Sequence, residues 1–182
     1  MKKIIAAINM TIDGFCDHTH GVPDEEIHLH YADLLSKADC ALYGRTTYQL
    51  MEFWKTILEN PTGEKSMDDF AKAIDKTPKI VFSRTLQSVD WASATLANKE
   101  LEEVVQELKQ QYGNDVFVCS PSLIVQLTQR NLIDEYQLCI HPVIAGSGLP
   151  LFKNIQEKLL LKLVKTKTFS GGAVILYYER KT

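Results

Sequence analysis

One segment constrains the fold more than any other, an apolar run at residues 40–43 that stops at Gly44 and gives way to a helical pattern at residues 46–53. A short apolar run ended by a glycine is typical of a buried strand. The segment therefore predicts a strand that leads directly into a helix, which is a building unit of α/β proteins.

Cationic and hydroxyl side chains follow this strand end. Gly44 lets the backbone come close to a ligand, and Arg45 adds a planar, permanently charged guanidinium group. Thr46 and Thr47 stand at the helix start, where the first N–H groups have no partner within the helix and favour anions. These are the parts of a phosphate site, although an ordinary strand-to-helix turn has the same composition.

A second segment strengthens the case for an anion site. Residues 79–85 form another apolar run, which ends in Ser83, Arg84 and Thr85. Parallel sheets bind ligands outside the carboxyl ends of their strands, so two such strands would bring Arg45 and Arg84 together. Two arginines with nearby hydroxyl groups suit a dianionic phosphomonoester, and the alternative is two solvated arginines at strand ends.

Length and composition fit one α/β domain that spans residues 1–182. The formal net charge of −3 gives no electrostatic reason to expect nucleic acid or an anionic membrane as a partner. No run approaches the roughly 18 apolar residues of a membrane-spanning helix. The four cysteines form no C-x-x-C pair and three lie in strand patterns, which favours free thiols in a reducing cytoplasm.

Hydrophobic periodicity predicts alternating strands and helices, with a polar loop at residues 9–23. The last two strands flank Ser170-Gly171-Gly172, a pattern typical of a hairpin with antiparallel strands. The predicted strands are residues 3–8, 40–43, 80–82, 115–119, 135–142, 159–168 and 173–180, and the predicted helices are residues 24–37, 46–53, 69–76, 98–112 and 122–131.

Four segments, taken in order, resemble a known superfamily. They are residues 10–15 (MTIDGF), 42–48 (LYGRTTY), 81–86 (VFSRTL) and 132–152, which begins LIDEY and ends PVIAGSGLPLF. The combination resembles the dihydrofolate-reductase-like superfamily, and more closely the C-terminal reductase domain of bacterial riboflavin-biosynthesis deaminase/reductase and its stand-alone relatives. The resemblance implies a mixed, mostly parallel sheet flanked by helices, a C-terminal antiparallel hairpin, and NADPH as the hydride donor.

The resemblance also implies roles for individual residues. One group matches the loop and strand end that hold the cofactor phosphates, including the adenosine 2′-phosphate: Gly44, Arg45, Thr46, Thr47, Ser83 and Arg84. A second group matches the surroundings of the nicotinamide: Ala7 at the end of the first strand, Asp13 in the loop that closes over the ring, and Gly146 in a turn near the cofactor backbone.

The chain departs from its relatives at Ser120 and Pro121, where the family usually has a Gly-Gly pair whose backbone touches the pyrophosphate. Proline cannot donate an N–H, so one donor is lost, and the helix that starts near Ser122 would have to supply the remaining N–H groups. Two conformations are open: a cis Ser120–Pro121 bond that keeps the family's bend, or a proline in the first turn of the next helix.

The proton donor is a second departure. Folate reductases carry a carboxylate on the first long helix, and the gapless match to that position is His28. Asp24 and Glu25 share a helix face with His28, and any of the three, or Asp13, is a candidate for catalysis. The two acids are equally typical helix-start charges. No metal site is expected, because no accepted ligand spacing is matched among Cys16, Asp17, His18, His20, His28 and His30.

The resemblance, together with the expected anion site, implies an NADPH-dependent reductase that transfers a hydride to a small heterocyclic substrate, pterin-like or aminopyrimidine-like, or to a carbonyl substrate. The alternative is a non-enzymatic, dimeric binding module on the same fold, with cofactor binding weakened at Ser120 and Pro121. A homodimer is expected in either case, with Tyr136, Leu138 and the C-terminal hairpin as interface candidates.

Overall fold

Eight strands form one mixed sheet in the computed structural model, which describes residues 1–181. In chain order the strands are β1 (Ile4–Thr11), β2 (Cys40–Gly44), β3 (Lys79–Phe82), β4 (Ala94–Leu96), β5 (Val116–Val118), β6 (Glu135–His141), β7 (Leu161–Thr168) and β8 (Val174–Arg180). Their order across the sheet is β4-β3-β2-β5-β1-β6-β8-β7. The first six in this order are parallel, and β8 and β7 pair antiparallel at one edge. The predicted fold class is confirmed.

Helices cover both faces of the sheet. They are α1 (Glu25–Ser36), α2 (Arg45–Met51), α3 (Phe53–Glu59), α4 (Lys65–Lys76), α5 (Leu101–Gln110) and α6 (Pro121–Gln129). The even-numbered side chains of β1 pack against α5 and α6, and its odd-numbered side chains pack against α1 and α4. Successive side chains of a strand point to opposite faces of the sheet. A central strand that is apolar on both faces therefore needs helices on both sides.

The start of α1 shows how local sequence sets an element boundary. The Oδ1 atom of Asp24 accepts the N–H of Ile27 at 2.9 Å, which caps the helix. Glu25 and Glu26 then place negative charge in the first turn, at the positive end of the helix dipole. The predicted start at residue 24 is therefore displaced by one position, because Asp24 is the cap.

The first strand is longer than predicted. It continues through Asn9 to Thr11, and Thr11 pairs with His141 at the far end of β6. The sequence did not indicate this extension, because polar Asn9 and Thr11 on either side of Met10 are as typical of a loop as of a half-buried strand. Asn9 consequently has a fixed place at the end of a central strand.

Two helix predictions and one strand were wrong in detail. The helix predicted at residues 46–53 is divided at Glu52 into α2 and α3. The helix predicted at residues 98–112 ends at Gln110, and Tyr112, which was assigned to its apolar stripe, is 89% exposed. The three-residue strand β4 was missed because a run this short carries almost no periodicity.

The strand β7 lies at the open edge of the sheet and is exposed along nearly its whole length. Leu163 and Val164 are about half exposed, at 48% and 50%, where a bulge interrupts the pairing with β8. Tyr136 and Leu138, by contrast, are buried at 1% and 8% exposure. Their side chains pack in the core of their own chain and leave little surface for a partner, and the interface itself stays a prediction.

Within residues 1–181, none of the helices combines the length and the apolar character that crossing a membrane would require.

His30 on α1 links the helix to the C-terminal hairpin. Its ring lies 5.6 Å from that of Phe169, its Nε2 atom is buried without a hydrogen-bond partner among residues 1–181, and the Lys167 ammonium donates to Nδ1 at 3.0 Å. Burial, followed by the charge of Lys167, lowers the pKa of His30 from 6.5 to about 4.

We expect this shift to make the fold less stable in acid. The unfolded chain takes up a proton as pH falls below 6.5, whereas folded His30 resists protonation until about pH 4, so stability is lost across that window. Between pH 7 and pH 5 the loss from His30 is about 2 kcal/mol. His30→Phe should remove this part of the pH dependence in urea unfolding, whereas replacement of exposed His18 by Phe should keep it. An unchanged pH dependence in His30→Phe would contradict the assignment.

Candidate functional site

A cleft of about 1950 Å³ runs along the edge of the sheet where the parallel strands end. Residues at or just beyond the carboxyl ends of five strands line it: Asn9 and Met10 of β1, Gly44 of β2, Ser83 after β3, Cys119 after β5 and His141 of β6. Ligands of parallel sheets bind at this edge, because helix starts and loops converge there. The cleft is therefore the candidate binding site.

The arginines stand at one end of the cleft. Gly44 pairs with Phe82 across β2 and β3, so Arg45 and Arg84 follow neighbouring strand ends. Both arginines are exposed and line the cleft. The Nη1 atom of Arg45 donates to Thr85 Oγ1 at 2.8 Å, which joins the two strand ends. Arg45 and Arg84 thus stand at neighbouring strand ends on the cleft, and their joint binding of an anion stays a prediction.

The hydroxyl groups near the arginines differ in their availability. Ser83 Oγ accepts the N–H groups of Thr85 and Leu86 at 3.1 and 3.0 Å, so this hydroxyl organises the turn that carries Arg84. Thr46 is exposed and Thr47 is half-buried, and both line the cleft at the start of α2. No side-chain hydrogen bond caps the first N–H groups of α2.

Gly44 and Ser120 form a buried link between β2 and the end of β5. The Gly44 N–H donates to Ser120 Oγ at 2.7 Å, and both residues are buried. A Cβ atom at position 44 would lie 3.5 Å from Ser122 Oγ, in ordinary van der Waals contact. The link satisfies a backbone donor in the interior, and it also removes that donor from the set that a phosphate could use.

The Ser120–Pro121 bond is trans, and α6 begins at Pro121. The hypothesis of a cis bond is therefore wrong. Pro121 occupies the first position of a helix, where its fixed φ is favourable and its missing N–H would have had no helical partner. The Ser120 carbonyl accepts the N–H groups of Leu123 and Ile124 at 3.1 and 2.9 Å, so the Ser122 N–H is the first-turn donor that stays open to the cleft.

Asp13 ties two loops together. Its carboxylate accepts the Thr11 hydroxyl at 2.6 Å and the N–H groups of Ala145 and Gly146 at 3.1 and 2.7 Å. The Thr11 hydroxyl, followed by the Gly146 N–H, lowers the pKa of Asp13 to about 2. Asp13 is therefore ionised at neutral pH. Gly146 has a φ of +74°, which favours glycine, and Ala7 is buried beneath the cleft at 4% exposure.

The three candidates on α1 have different surroundings. Asp24 Oδ1 accepts the Ile27 N–H, and its Oδ2 accepts the Gly171 N–H at 3.1 Å, so both oxygens hold backbone groups. Glu25 is exposed on the helix surface and, like Asp24, does not line the cleft. His28 does line it. The structure therefore places one of the three side chains at the cleft.

His28 belongs to an aromatic wall that sequence reasoning missed. Its ring stacks on Phe70 at 5.7 Å between centroids and meets the edge of Trp54 at 5.8 Å. Phe70 and Trp54 lie in a T-shaped pair at 4.6 Å. Burial lowers the pKa of His28 below 6.5, while the charges of Asp24 and Glu64 oppose the shift. The wall comes from α1, α3 and α4, so no single stretch of sequence could have revealed it.

Three polar residues at the cleft were also missed: Asn9, Tyr31 and His141. Tyr31 lies one turn beyond His28 on α1, a spacing that places both on one helix face and that could have indicated it. Asn9 was assigned to a loop, and His141 to the end of a strand without a function.

A mostly parallel sheet of this order, with a cationic strand end and an open cleft at its carboxyl edge, defines the chain as a dihydrofolate-reductase-like α/β protein. The family is narrower than the fold. The model of the RibD C-terminal domain matches residues 2–175, and the chain belongs to that family, which is a reductase domain.

Individual relatives agree with this placement. The chain is 35% identical over 182 residues to the uncharacterized protein YyaP of Bacillus subtilis strain 168, covering 98% of this chain and 95% of that one. A crystal structure of a putative riboflavin biosynthesis protein from Shewanella sp. PV-4 superposes with a TM-score of 0.73 at 20% identity, covering both chains fully. Acinetobacter baumannii RibD gives a TM-score of 0.70 at 12% identity, and the match covers all of this chain and 58% of that one. The structural likenesses establish the fold.

Proposed function

We propose that the protein is an NADPH-dependent reductase that transfers a hydride to a small heterocyclic substrate, pterin-like or aminopyrimidine-like, or to a carbonyl substrate. The observation that carries the proposal is the placement of Arg45 and Arg84 at neighbouring strand ends, in a cleft that also holds an aromatic wall. Membership of a reductase-type family supports the same reaction class.

The residues at the cleft fit the cofactor. The exposed arginines and the hydroxyl groups of Thr46 and Thr47 provide cations and donors for phosphate groups. The Ser122 N–H at the start of α6 provides one further donor, although the Gly44 N–H is occupied by Ser120. Ala7, with its small side chain, leaves room beneath the cleft for a flat ring. When bound, NADPH would supply the hydride.

The arginine pair is expected to select NADPH over NADH. The two cofactors differ by the 2′-phosphate, which carries up to two negative charges and offers several acceptor oxygens. A guanidinium group is always charged and matches phosphate with two parallel hydrogen bonds. Because Arg45 is already fixed by Thr85, it loses less side-chain freedom when it binds a phosphate than a fully free arginine would.

Replacement of Arg84 by Ala should weaken NADPH binding by roughly 1.5–3 kcal/mol, about tenfold or more, because a charge-assisted bond to the 2′-phosphate is lost. Binding of NADH should change little. Fluorescence titration with both cofactors measures the difference. Arg130→Ala is a matched control, since Arg130 is exposed, pairs with Glu102 and lies outside the cleft. Equal losses for NADPH and NADH would contradict the assignment.

We propose His28 as the proton donor. It is the one member of the set Asp13, Asp24, Glu25 and His28 whose side chain lines the cleft. Asp13 and Asp24 use their carboxylates to hold backbone N–H groups, and Glu25 lies on the outer surface. The first criterion for a general acid is its position and the second is its pKa, because a proton donor must reach the reacting group.

His28→Gln should lower kcat by about 100-fold with any substrate that is turned over, while NADPH affinity stays within a factor of about two. In the unaltered protein kcat should fall as pH rises through the lowered pKa of His28, because the acid form is lost. Steady-state NADPH oxidation against pH measures both effects. A pH profile that is the same in His28→Gln and in the unaltered protein would exclude His28 as the donor.

We also propose a homodimer that uses the C-terminal hairpin. The exposed edge of β7 offers unpaired backbone groups, and Leu163 and Val164 add apolar surface at the same place. A second copy of the same strand could satisfy that edge by an isologous contact.

Changing both Leu163 and Val164 to Lys should convert the dimer to monomer at micromolar concentration, because four charges would meet in the interface of two copies. Sedimentation equilibrium measures the mass. Tyr112→Lys changes a more exposed side chain, at 89% exposure, away from the hairpin and should leave the dimer intact. A monomeric mass for the unaltered protein would overturn the proposal.

The alternative function is a dimeric binding module without catalysis. The observation that favours it is the loss of two backbone donors near the phosphate end, since Ser120 occupies the Gly44 N–H and Pro121 has none. NADPH oxidation against a panel of pterins, aminopyrimidines and quinones separates the two functions. Oxidation with at least one compound supports the reductase, and none at all favours the module.

We propose a cytoplasmic location as well, because the four cysteines are free thiols and two of them, Cys40 and Cys139, are buried within strands. Cell fractionation tests this, and recovery of the protein from an oxidising compartment would contradict it.

A further inference from the structure

A hydrogen-bonded trio lies beside the cleft: Asn9 at the end of β1, Tyr31 on α1 and His141 at the end of β6. His141 is fully buried at 0% exposure, whereas Asn9 is exposed to the cleft. The trio is separate from the arginine end and none of its members has a role in the function proposed above.

The neighbours of His141 fix which of its ring nitrogens carries the proton. The N–H of Val22 donates to Nδ1 at 3.2 Å, so Nδ1 is an acceptor. Burial lowers the pKa of His141 below 6.5, which keeps the ring neutral at neutral pH. A neutral imidazole with an acceptor at Nδ1 must carry its hydrogen on Nε2.

That hydrogen determines the orientation of the Asn9 amide. His141 Nε2 lies 3.1 Å from Asn9 Oδ1 and 3.9 Å from the sulfur of Cys139, so the asparagine oxygen is its closer acceptor. The Tyr31 hydroxyl donates to the same Oδ1 at 3.2 Å, and burial raises the pKa of Tyr31 so that it stays protonated. Two donors use both lone pairs of the oxygen. The amide is therefore held with Nδ2 pointing away from Tyr31 and His141.

The Asn9 nitrogen is free to meet a ligand. Among residues 1–181 no side-chain hydrogen bond uses Asn9 Nδ2, and the residue lines the cleft. Asn9 lies two positions after Ala7 on β1, so both side chains point to the same face of the sheet. The aromatic rings of His28, Trp54 and Phe70 line the same cleft and suit a flat ligand.

We propose that Asn9 is a specificity-determining residue that donates from Nδ2 to a carbonyl or other acceptor oxygen on a planar substrate. The inference rests on the proposed reductase function and narrows its substrate class. An asparagine that is free to rotate can serve donors and acceptors alike, whereas this one presents N–H groups alone. Substrates with an oxo group at this position are accepted, and those with an amino group leave two donors facing each other.

Asn9→Asp is the decisive variant. The carboxylate keeps an oxygen where Tyr31 and His141 donate, so the trio remains bonded, but the free side of the residue changes from donor to acceptor. Two ring compounds of similar size serve as probes: 1,3-dimethyluracil, which offers carbonyl acceptors and no N–H, and 1,3-diaminobenzene, which offers amino donors and no ring nitrogen that could accept. Their dissociation constants are measured by ligand-observed NMR, without cofactor and with saturating NADPH.

The unaltered protein should bind 1,3-dimethyluracil at least about tenfold more tightly than 1,3-diaminobenzene, and Asn9→Asp should reverse the order. Tyr31→Phe removes one of the two donors that hold the amide, so the preference should shrink to about threefold. Asn60→Asp makes the same change of charge at an exposed residue outside the cleft and should alter nothing. If the trio had only a structural role, these substitutions would change the melting temperature but not which of the two probes binds more tightly.

An unchanged probe ratio in Asn9→Asp overturns the proposal, as does equal binding or no binding of both probes by the unaltered protein. If Asn9→Asp fails to fold, Tyr31→Phe decides, and an undiminished preference in that variant overturns the proposal. NADPH titration of the same samples separates the two inferences. A reversed probe order in Asn9→Asp without NADPH binding would retain Asn9 as the specificity-determining residue and reject the reductase function. An unchanged probe order with NADPH binding would reject the role of Asn9 and leave the reductase function standing.

Discussion

The parallel alignment of six neighbouring strands is the constraint on which the rest of the structure depends. Because β4, β3, β2, β5, β1 and β6 run in one direction, their carboxyl ends meet along one edge of the sheet. That edge holds the arginine pair, the helix starts and the polar trio. Helices cover both faces, so the buried strands can be apolar on both sides, and the polar residues that line the cleft lie where the strands end.

Local sequence was sufficient for the features that depend on a single strand or turn. The buried run at β2 and the cations after it were recognisable because strand, glycine and arginine are adjacent in the chain. The placement of Arg45 and Arg84 at neighbouring strand ends followed from a general property of parallel sheets and needed no knowledge of side-chain contacts. The C-terminal hairpin was equally clear, since Ser170-Gly171-Gly172 lies between two long apolar-polar alternations.

Contacts between distant segments could not be predicted in the same way. Ser120 accepts a hydrogen bond from the Gly44 N–H, 76 positions away, and this contact gives the serine a role that its neighbours in the sequence do not indicate. Asn9 acquires its orientation only because β1 and β6 pair in a register that sets Asn9 opposite Cys139 and brings His141 within reach. Asp24 and Asp13 resembled catalytic acids in sequence, and their neighbours show that both hold backbone N–H groups.

The central claim is that the arginine end of the cleft receives the 2′-phosphate of NADPH. Parallel titrations of the unaltered protein with NADPH and NADH, followed by cofactor fluorescence at low ionic strength, test this most directly, because the two ligands differ only in that group. The account predicts that NADPH binds at least about tenfold more tightly and that added salt narrows the difference. Equal affinity for the two cofactors, or binding of neither, would contradict it.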